Sequence, residues 1–328
     1  MKSIRSNDGS IPKSKPMHSY LLTWYSQHKR NLPWRNTGDP YGILLSEVML
    51  QQTQVSRVFI KYNTFLHDFP SIQFLAKASR ATVIRAWQGL GYNIRAIRLH
   101  LTAQILVSEN DGRVPKLPSE LILLPGIGNY SAAAIACFAF GEHVAVVDTN
   151  VKRVLGRVFF GLTIASDHQI NKMATSLVKT LPRGYASSWN QALMDLGSLV
   201  CKSRIPHCVS CPLQNHCLAA PHFQKCAKGH KVIVHSPSHR LTDQQERFFG
   251  SSRYYRGRIV QVLRELPEGT AIDLVALGKA LRDDFTFGHL SWLHEVVAQL
   301  QREGLLSCYP ESKSVNPKKL TAVEVKLP

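Results

Sequence analysis

Four of the seven cysteines in this 328-residue chain, Cys201, Cys208, Cys211 and Cys217, fall within 17 residues, with six, two and five residues between successive members. Four soft donors on so short a loop can converge on one tetrahedral centre, and the rest of the fold must then be built around that loop. In a reducing compartment such clustering points to metal rather than to disulfides. Zinc accepts four thiolates but usually takes them as two closely spaced pairs, and here only Cys208 and Cys211 form one. The spacing is not a ferredoxin pattern either. Chemistry alone leaves zinc and a cubane iron-sulfur cluster level. The other cysteines, Cys137, Cys226 and Cys308, are scattered and read as packing residues.

From His18 to about Trp189 the chain is a succession of amphipathic segments at helical spacing, broken by proline and glycine, with little strand-like alternation. The spacing predicts helices near 42–53, 77–87, 94–109, 130–140 and 149–160. After Cys217 a polar, His-rich stretch runs to about Gly250, and apolar periodicity restarts at 256–265, 271–283 and 290–304. Strand-like pieces at 305–309 and 320–325 then flank a basic, proline-containing loop. The expectation is a mainly α protein: a flexible basic arm (1–17), a helical core (18–220) holding the cysteine loop (201–217), a linker (221–250) and a small winged-helix-like domain (251–328). A helical cap without DNA contact is the competing reading of the last part.

Forty Lys and Arg against 22 Asp and Glu give a formal charge of +18, which predicts attraction to phosphate backbones or anionic surfaces and names no chemistry by itself. No apolar run approaches the ~18 residues of a membrane span, and the N-terminal stretch lacks the apolar core of a signal peptide. The expectation is a cytoplasmic protein without membrane contact, nucleoid-associated in a prokaryote, and monomeric.

The segment Leu124-Pro125-Gly126-Ile127-Gly128-Asn129-Tyr130 places two glycines just before a helix rich in small residues. Such a start exposes backbone amides that can hold a phosphate without reading sequence, although a plain turn has the same signature. The hairpin, the downstream Asp148 and the four cysteines occur in an order that resembles the helix-hairpin-helix glycosylase superfamily. Lys202, Arg204 and Lys225 near the cysteines would address phosphates or form an ordinary solvated face.

Tyr41 to Val55, YGILLSEVMLQQTQV, is an apolar helix interrupted by one carboxylate, Glu47. Such an acid can cap a turn or pair with an arginine. The run resembles the signature of the MutY family of adenine DNA glycosylases, as does Leu32-Pro33-Trp34-Arg35 ahead of it. The cysteine spacing after Trp189 to Gly197 likewise resembles the [4Fe-4S] loop of endonuclease III and adenine glycosylases, which implies that Cys201, Cys208, Cys211 and Cys217 hold a structural [4Fe-4S] cluster. The same resemblance implies that Glu47 is the catalytic acid. Adenine is a poor leaving group unless protonated, and a carboxyl whose proton is retained by burial can donate to a ring nitrogen. The sugar acquires oxocarbenium character, and a second carboxylate is needed to offset it or to hold the incoming water. Asp148 fits that role, though it could simply cap the helix that follows.

Bifunctional relatives resembling endonuclease III carry, after the hairpin, a lysine that forms a Schiff base and cleaves the strand. Here the position is Tyr130, which implies base release from an intact strand, with Tyr130 and Asn150 positioning water and Asp148. Gln52 and Tyr92 resemble residues that wedge into the duplex beside the extruded base, with core filling as the alternative. Gln51, Gly126, Gly128 and Arg35 join them on the DNA-binding side.

Three residues depart from the family pattern: Asn93 stands where a second tyrosine is usual, Thr149 where a glycine is usual and Leu44 where a tryptophan is common. The chain after 250 does not resemble the hydrolase-like domain of many adenine glycosylases. Phe285 to His289 superficially matches that domain's recognition loop but fits better as the turn before a helix. Shorter bacterial adenine glycosylases end similarly, with Phe249-Gly250-Ser251 followed by Arg256-Gly257-Arg258. The leading expectation is a monofunctional glycosylase acting on double-stranded DNA with mismatched or oxidised base pairs, removing adenine opposite 8-oxoguanine or guanine. The alternatives are a thymine or uracil mismatch glycosylase and a non-enzymatic iron-sulfur DNA-binding regulator.

Overall fold

The computed structural model describes residues 14–227, 248–310 and 320–328. In chain order the first helices are α1 (Ser14–His28), α2 (Pro40–Leu50), α3 (Val55–Asp68), α4 (Ile72–Lys77), α5 (Arg80–Ala86) and α6 (Ile94–Glu109). Next come α7 (Pro118–Leu121), α8 (Asn129–Phe140), α9 (Thr149–Phe160), α10 (Asp167–Lys179), α11 (Ala186–Leu199) and α12 (Ala220–Ala227). The C-terminal elements are α13 (Ser252–Glu265), β1 (Ile272–Asp273), α14 (Leu274–Leu281), α15 (Leu290–Arg302), β2 (Ser307–Tyr309) and β3 (Glu324–Lys326). Two units contain them, one drawn from Met1–Ile43, Pro115–Ile122 and Ile127–Arg240, the other from Leu44–Val114, Leu123–Gly126 and Leu241–Pro328.

The first unit is helical because its segments carry apolar stripes at 3.6-residue spacing. Val151, Val154, Leu155 and Val158 form the buried stripe of α9, and Ile170, Ala174, Leu177 and Val178 that of α10. α10 starts on a capping box in which the Ser166 hydroxyl accepts from the Gln169 amide while the Gln169 side chain accepts from the Ser166 amide. α11 is buried along most of its length, and packs against α9 and α1. Met17 and Leu21 of α1 belong to this core. The arm expected over 1–17 is therefore helical from Ser14, because the apolar face of α1 begins at Met17; residues 1–13 lie outside the described residues.

In the second unit α6 carries the long buried stripe and α4 packs along it. The helix expected near 77–87 is α5, which begins later, at Arg80, because Ser79 caps it by accepting from the Thr82 amide. A serine able to cap outweighs continuing periodicity across it. The other four expected ranges match α2, α6, α8 and α9 to within three residues, while α3, α10 and α11 lie in segments for which no range was expected.

The expected module at 251–328 shares this unit with residues 44–114. Its three helices and three-stranded antiparallel sheet, in the order β1-β3-β2, have the winged-helix-like composition expected. Val325 sits between Ile272 and Cys308. β1 was not foreseen, since two residues carry no alternation; part of the helix expected at 271–283 is this strand. Ile259, Val260 and Leu263 of α13 join Ala81, Ile84 and Ile97 in one buried cluster. Phe285 packs over Gly278 of α14, so closely that a Cβ there would meet the ring, which agrees with reading 285–289 as a structural turn. Of the linker expected over 221–250, residues 221–227 continue α12, and 228–247 lie outside the described residues, as does the basic loop at 311–319.

Candidate functional site

Asp39 starts α2, its carboxylate accepting from the Tyr41 and Gly42 amides at 3.1 and 3.0 Å. The helix is then buried all round from Ile43 to Met49, as an apolar run without a polar face requires. Glu47 lies in the middle of that run and is only 5% exposed. A carboxyl so placed is shielded from water.

The C-terminal end of α2 is held by Arg95, the second residue of α6, itself 5% exposed. Its Nη1 donates to the Val48 and Met49 carbonyls at 2.9 and 2.8 Å. Its Nη2 donates to Thr53 Oγ1 at 2.8 Å and to the Leu90 and Gly91 carbonyls at 3.1 and 3.0 Å, and its Nε to the Tyr92 carbonyl at 3.4 Å. The guanidinium lies over the Trp87 and Tyr92 rings. All five guanidinium donors are thereby engaged, and every one of these partners is neutral. Burial pulls the Arg95 pKa down to about 10, which still leaves it charged at neutral pH.

This cradle fixes two turns. One carries Gln52, the other Tyr92, and both residues have positive φ, 54° and 45°. Non-glycine residues in that region are strained and persist where surrounding structure over-determines them, as at ligand-contacting turns. Tyr92 is 45% exposed, and Gln52 is exposed as well. Gln51 is half-buried and its amide donates to the Gly126 carbonyl at 3.0 Å, so it braces the hairpin. Gly126 has φ 81°, a conformation that only glycine takes without strain, and Gly128 is the N-cap of α8. Tyr130, one residue into α8, is 37% exposed.

In the first unit Asp148 caps α9. Its Oδ1 accepts from the Val151 amide at 2.6 Å and its Oδ2 from Asn150 Nδ2 at 2.9 Å. The N-cap role and a chemical role are compatible, because an ionised carboxylate offers about four lone-pair sites and these bonds occupy two. Asn150 Oδ1 accepts in turn from Arg153 Nη2 at 2.7 Å, and Arg153 also donates to the Gly197 and Cys201 carbonyls. α11 approaches closely here, since a Cβ on Gly197 would lie 2.6 Å from the Asn150 Cβ. Asp148, Asn150, Arg153 and Cys201 thus form one chain of polar contacts.

One turn further along α9, Arg157 Nη1 donates to Cys201 Sγ at 3.4 Å, and its guanidinium also holds the Lys202 and Ser203 carbonyls. Cys201, Cys208, Cys211 and Cys217 all line one small cavity of about 20 Å³, walled by Val154, Val158, Leu196 and Phe223. Among the described residues no group of three His, Cys, Asp or Glu side chains is arranged to hold a single metal ion. Four thiols lining one enclosed space are a donor set that fits a thiolate-bound centre. Burial pushes the Cys208 thiol up to about 11 and the Cys211 thiol up to about 12, with the neighbouring thiols adding to it, and raises Cys217 as well. Lys202 and Arg204 are exposed; the Lys225 and Cys226 side chains lie outside the described residues. Cys137 and Cys308 are buried, as packing residues should be.

Arg35 is where expectation and structure part. Its Nη1 and Nη2 donate to Asp195 Oδ2 and Oδ1 at 2.7 and 3.0 Å, and Arg30 Nε reaches Oδ1 at 2.7 Å. The side chain is 10% exposed and braces α11, a geometry that suits scaffold rather than phosphate contact. Asp195 is fully buried; burial alone would raise its carboxyl, but Arg35 and then Arg30 outweigh it and hold it below the usual range. Arg95, Arg153 and Arg157 were not singled out from sequence. Arg95 occupies a stripe with Leu99, Ala103 and Leu106, where an apolar residue belongs, and that substitution was its signal.

Residues 45–180 match the model of the HhH-GPD superfamily of base excision DNA repair proteins. The chain is 40% identical over 248 residues to the adenine DNA glycosylase of Mycolicibacterium smegmatis, covering 75% of this chain and 79% of that one. It is 32% identical over 223 residues to the thymine/uracil-DNA glycosylase of Methanothermobacter thermautotrophicus, covering 67% of this chain and 99% of that one. An endonuclease III structure in complex with DNA shares the fold, with a TM-score of 0.56, 21% identity and coverage of 66% of this chain and all of the other. No helix among the described residues is long and apolar enough to cross a membrane. A buried acid inside the matched region, a capped aspartate and a four-cysteine cavity thus accompany the sequence match, and the chain belongs to the MutY-like adenine DNA glycosylase family of base excision repair enzymes.

Proposed function

We propose that this enzyme hydrolyses the N-glycosidic bond of adenine mispaired with 8-oxoguanine or guanine in double-stranded DNA, acting as a monomer at the DNA of a prokaryotic cytoplasm. The observation that carries the reading is Glu47, a buried acid in the middle of an otherwise apolar helix. Glu47 donates its proton to a ring nitrogen of adenine, the C1′–N bond breaks with its electron pair on the base, and water adds to C1′. Asp148 offsets the positive charge on the sugar, orients that water and takes its proton as it adds, passing it to solvent, from which Glu47 is reprotonated. Asn150 holds the Asp148 carboxylate, and Tyr130 helps to position the water. Because Tyr130 has no amine, no imine forms and the strand remains intact.

Gln52 and Tyr92 contact the duplex beside the extruded nucleotide, while the amides around Gly126 and Gly128 hold a phosphate. Gln51 acts through the hairpin it braces, and Arg35 through Asp195. Cys201, Cys208, Cys211 and Cys217 would hold a [4Fe-4S] cluster, which supplies a structural tie and takes no part in bond cleavage. The winged-helix-like part at 251–328 adds to the DNA-binding surface.

The test is incubation of the purified protein with duplexes carrying one adenine opposite 8-oxoguanine, guanine, cytosine or thymine, and with thymine or uracil opposite guanine. The readout is alkali-dependent strand breaks. The expected result is breakage at adenine opposite 8-oxoguanine or guanine only, falling by about 10²- to 10⁴-fold in Glu47→Gln. A second reading, excision of thymine or uracil opposite guanine, is favoured by the match over 99% of the thymine/uracil-DNA glycosylase; breaks at those bases would replace the first reading. Full activity in Glu47→Gln together with loss on cluster removal would favour a DNA-binding regulator.

A further inference from the structure

The departure Asn93 has a partner in the C-terminal part of the chain. Its Oδ1 accepts from Arg264 Nη2 at 2.9 Å, and Arg264 Nε donates to the Ile84 carbonyl at 2.8 Å. Arg85 donates in return to the Leu266 carbonyl at 2.9 Å and to the Arg264 carbonyl. Burial draws the Arg264 pKa down to about 10, with the nearby Arg85 charge adding to it. Ile259, Val260 and Leu263 share a buried cluster with Ile84 and Ile97. α13 is therefore fixed along its length to the segment that carries the Tyr92 turn.

Where α13 begins, Arg253 Nη1 donates to the Tyr92 hydroxyl at 3.4 Å. The Arg253 guanidinium lies 5.4 Å over the Phe248 ring, and Phe248, Phe249 and Tyr254 contact one another with centroids 5.5 to 5.7 Å apart. The ledge is built rather than accidental, because the Ser251 hydroxyl donates to the Phe248 carbonyl at 2.7 Å and accepts from the Tyr254 amide at 3.2 Å. Yet its rings face water: Phe249 is 77% and Phe248 49% exposed. Apolar rings interleaved with an exposed guanidinium, on a chain of charge +18, match an anionic polymer with flat apolar faces better than they match an apolar protein surface.

We propose that Phe248, Phe249, Arg253 and Tyr254 form, together with Tyr92, one continuous contact surface for duplex DNA next to the extruded nucleotide. The rings stack on a base that the Tyr92 wedge exposes, and Arg253 meets the adjoining phosphate. The inference rests on the reading of Tyr92 as a DNA contact. It places the DNA contact of the C-terminal part at its first helix, in contrast to the groove-reading third helix usual in winged-helix modules.

The test measures binding by fluorescence anisotropy with the full-length, cluster-loaded protein, which requires no base release. The probes are a duplex with a central tetrahydrofuran abasic analogue and 2-aminopurine beside it, the intact duplex, and the single strand. The variants are Phe249→Ala, Arg253→Ala and, as a charge control on α15, Arg302→Ala. Phe249→Ala and Arg253→Ala are expected to raise Kd for the abasic duplex about tenfold, the lower part of the range for a stacked base. Phe249→Ala should also restore 2-aminopurine fluorescence, and Arg253→Ala should reduce the slope of log K against log salt by about 1. Arg302→Ala should change Kd less than twofold.

Unchanged binding in both ledge variants, or equal weakening in all three, overturns the proposal. So does a wild-type dimer that Phe249→Ala converts to a monomer without affecting DNA binding, since the ledge would then serve a second copy of the chain. If the ledge variants lose binding while the wild type releases no adenine, the proposed activity fails and this contact surface stands. Adenine release with ledge-independent binding gives the reverse. Melting curves guard against misfolding, which the exposure of Phe249 and Arg253 makes small.

Discussion

Asp195 in the first unit and Arg95 in the second are both buried, and the two are held in opposite ways. Asp195, in the first unit, is neutralised by Arg30 and Arg35 at 2.7 Å each. Arg95, in the second, is surrounded by backbone carbonyls and one hydroxyl. A compensated pair is a scaffold element, since its partners tie α11 to the segment around 30–35 within one unit. A cation satisfied by carbonyls of two turns and a helix end is a positioning element, because those carbonyls can meet it only if both turns keep their strained shapes. The first should govern stability of its unit, the second the placement of Gln52 and Tyr92.

The largest effect should come from Asp195→Ala, which leaves two guanidiniums facing a buried site without their counter-charge. A loss of about 3–5 kcal/mol is expected. Urea denaturation monitored by hydrogen exchange should show it in the amides of α9 and α11; loosening confined to the second unit would erase the distinction drawn above.

Arg95→Met should follow, at about 3 kcal/mol, because several buried acceptors lose their donors at once. Here the loosening should appear at 48–53 and 90–95. The sharper version is Arg95→Lys, which keeps the charge but offers three donors in place of five. Most of the stability should remain while single-turnover base release falls about 10²-fold, the scale of a misplaced contact. An Arg95→Lys enzyme with native rates would reduce Arg95 to a packing cation.

The two sites also differ with pH. The Asp195 carboxyl is held below the value it has when unfolded, so its contribution is present above the unfolded value of about 3.9 and is lost as pH falls through the lowered folded value. Below about pH 4 the wild type should therefore lose stability more steeply than Asp195→Asn, as measured by urea midpoints. Arg95 has no corresponding acid transition, since its pKa is only drawn down to about 10.

The smallest effect should be that of Asn150→Ala, about 1 kcal/mol, from the lost bonds to Asp148 and Arg153. Its effect on base release should exceed its effect on melting temperature. The opposite order would show that Asn150 serves the helix cap alone.

Much of this molecule was legible before the structure. Sequence located α6, α8 and α9 to within a residue, because α6 and α9 bury apolar stripes and all three are punctuated by residues that cap or break helices. The carboxylate in an apolar run marked Glu47 as buried, and the cysteine spacing marked a common cavity. Arg35 and Gln51 were recognised as members of a motif, yet the motif could not say which way their side chains turn. Both satisfy groups within the protein, Asp195 and the Gly126 carbonyl.

The sequence by itself determined which segments become helices, which residue types meet at the acid and at the cysteines, and the family, since these reside in local spacing. Tertiary structure alone decided that Arg95 joins the α2 end to the Tyr92 turn, that Arg153 ties Asp148 to the cysteine loop, and that Arg264 meets Asn93. The physical reason is shared by all three. An arginine on a helix carries the same local signal whether its long side chain ends in water or on carbonyls dozens of residues away, and only the packed chain chooses between them.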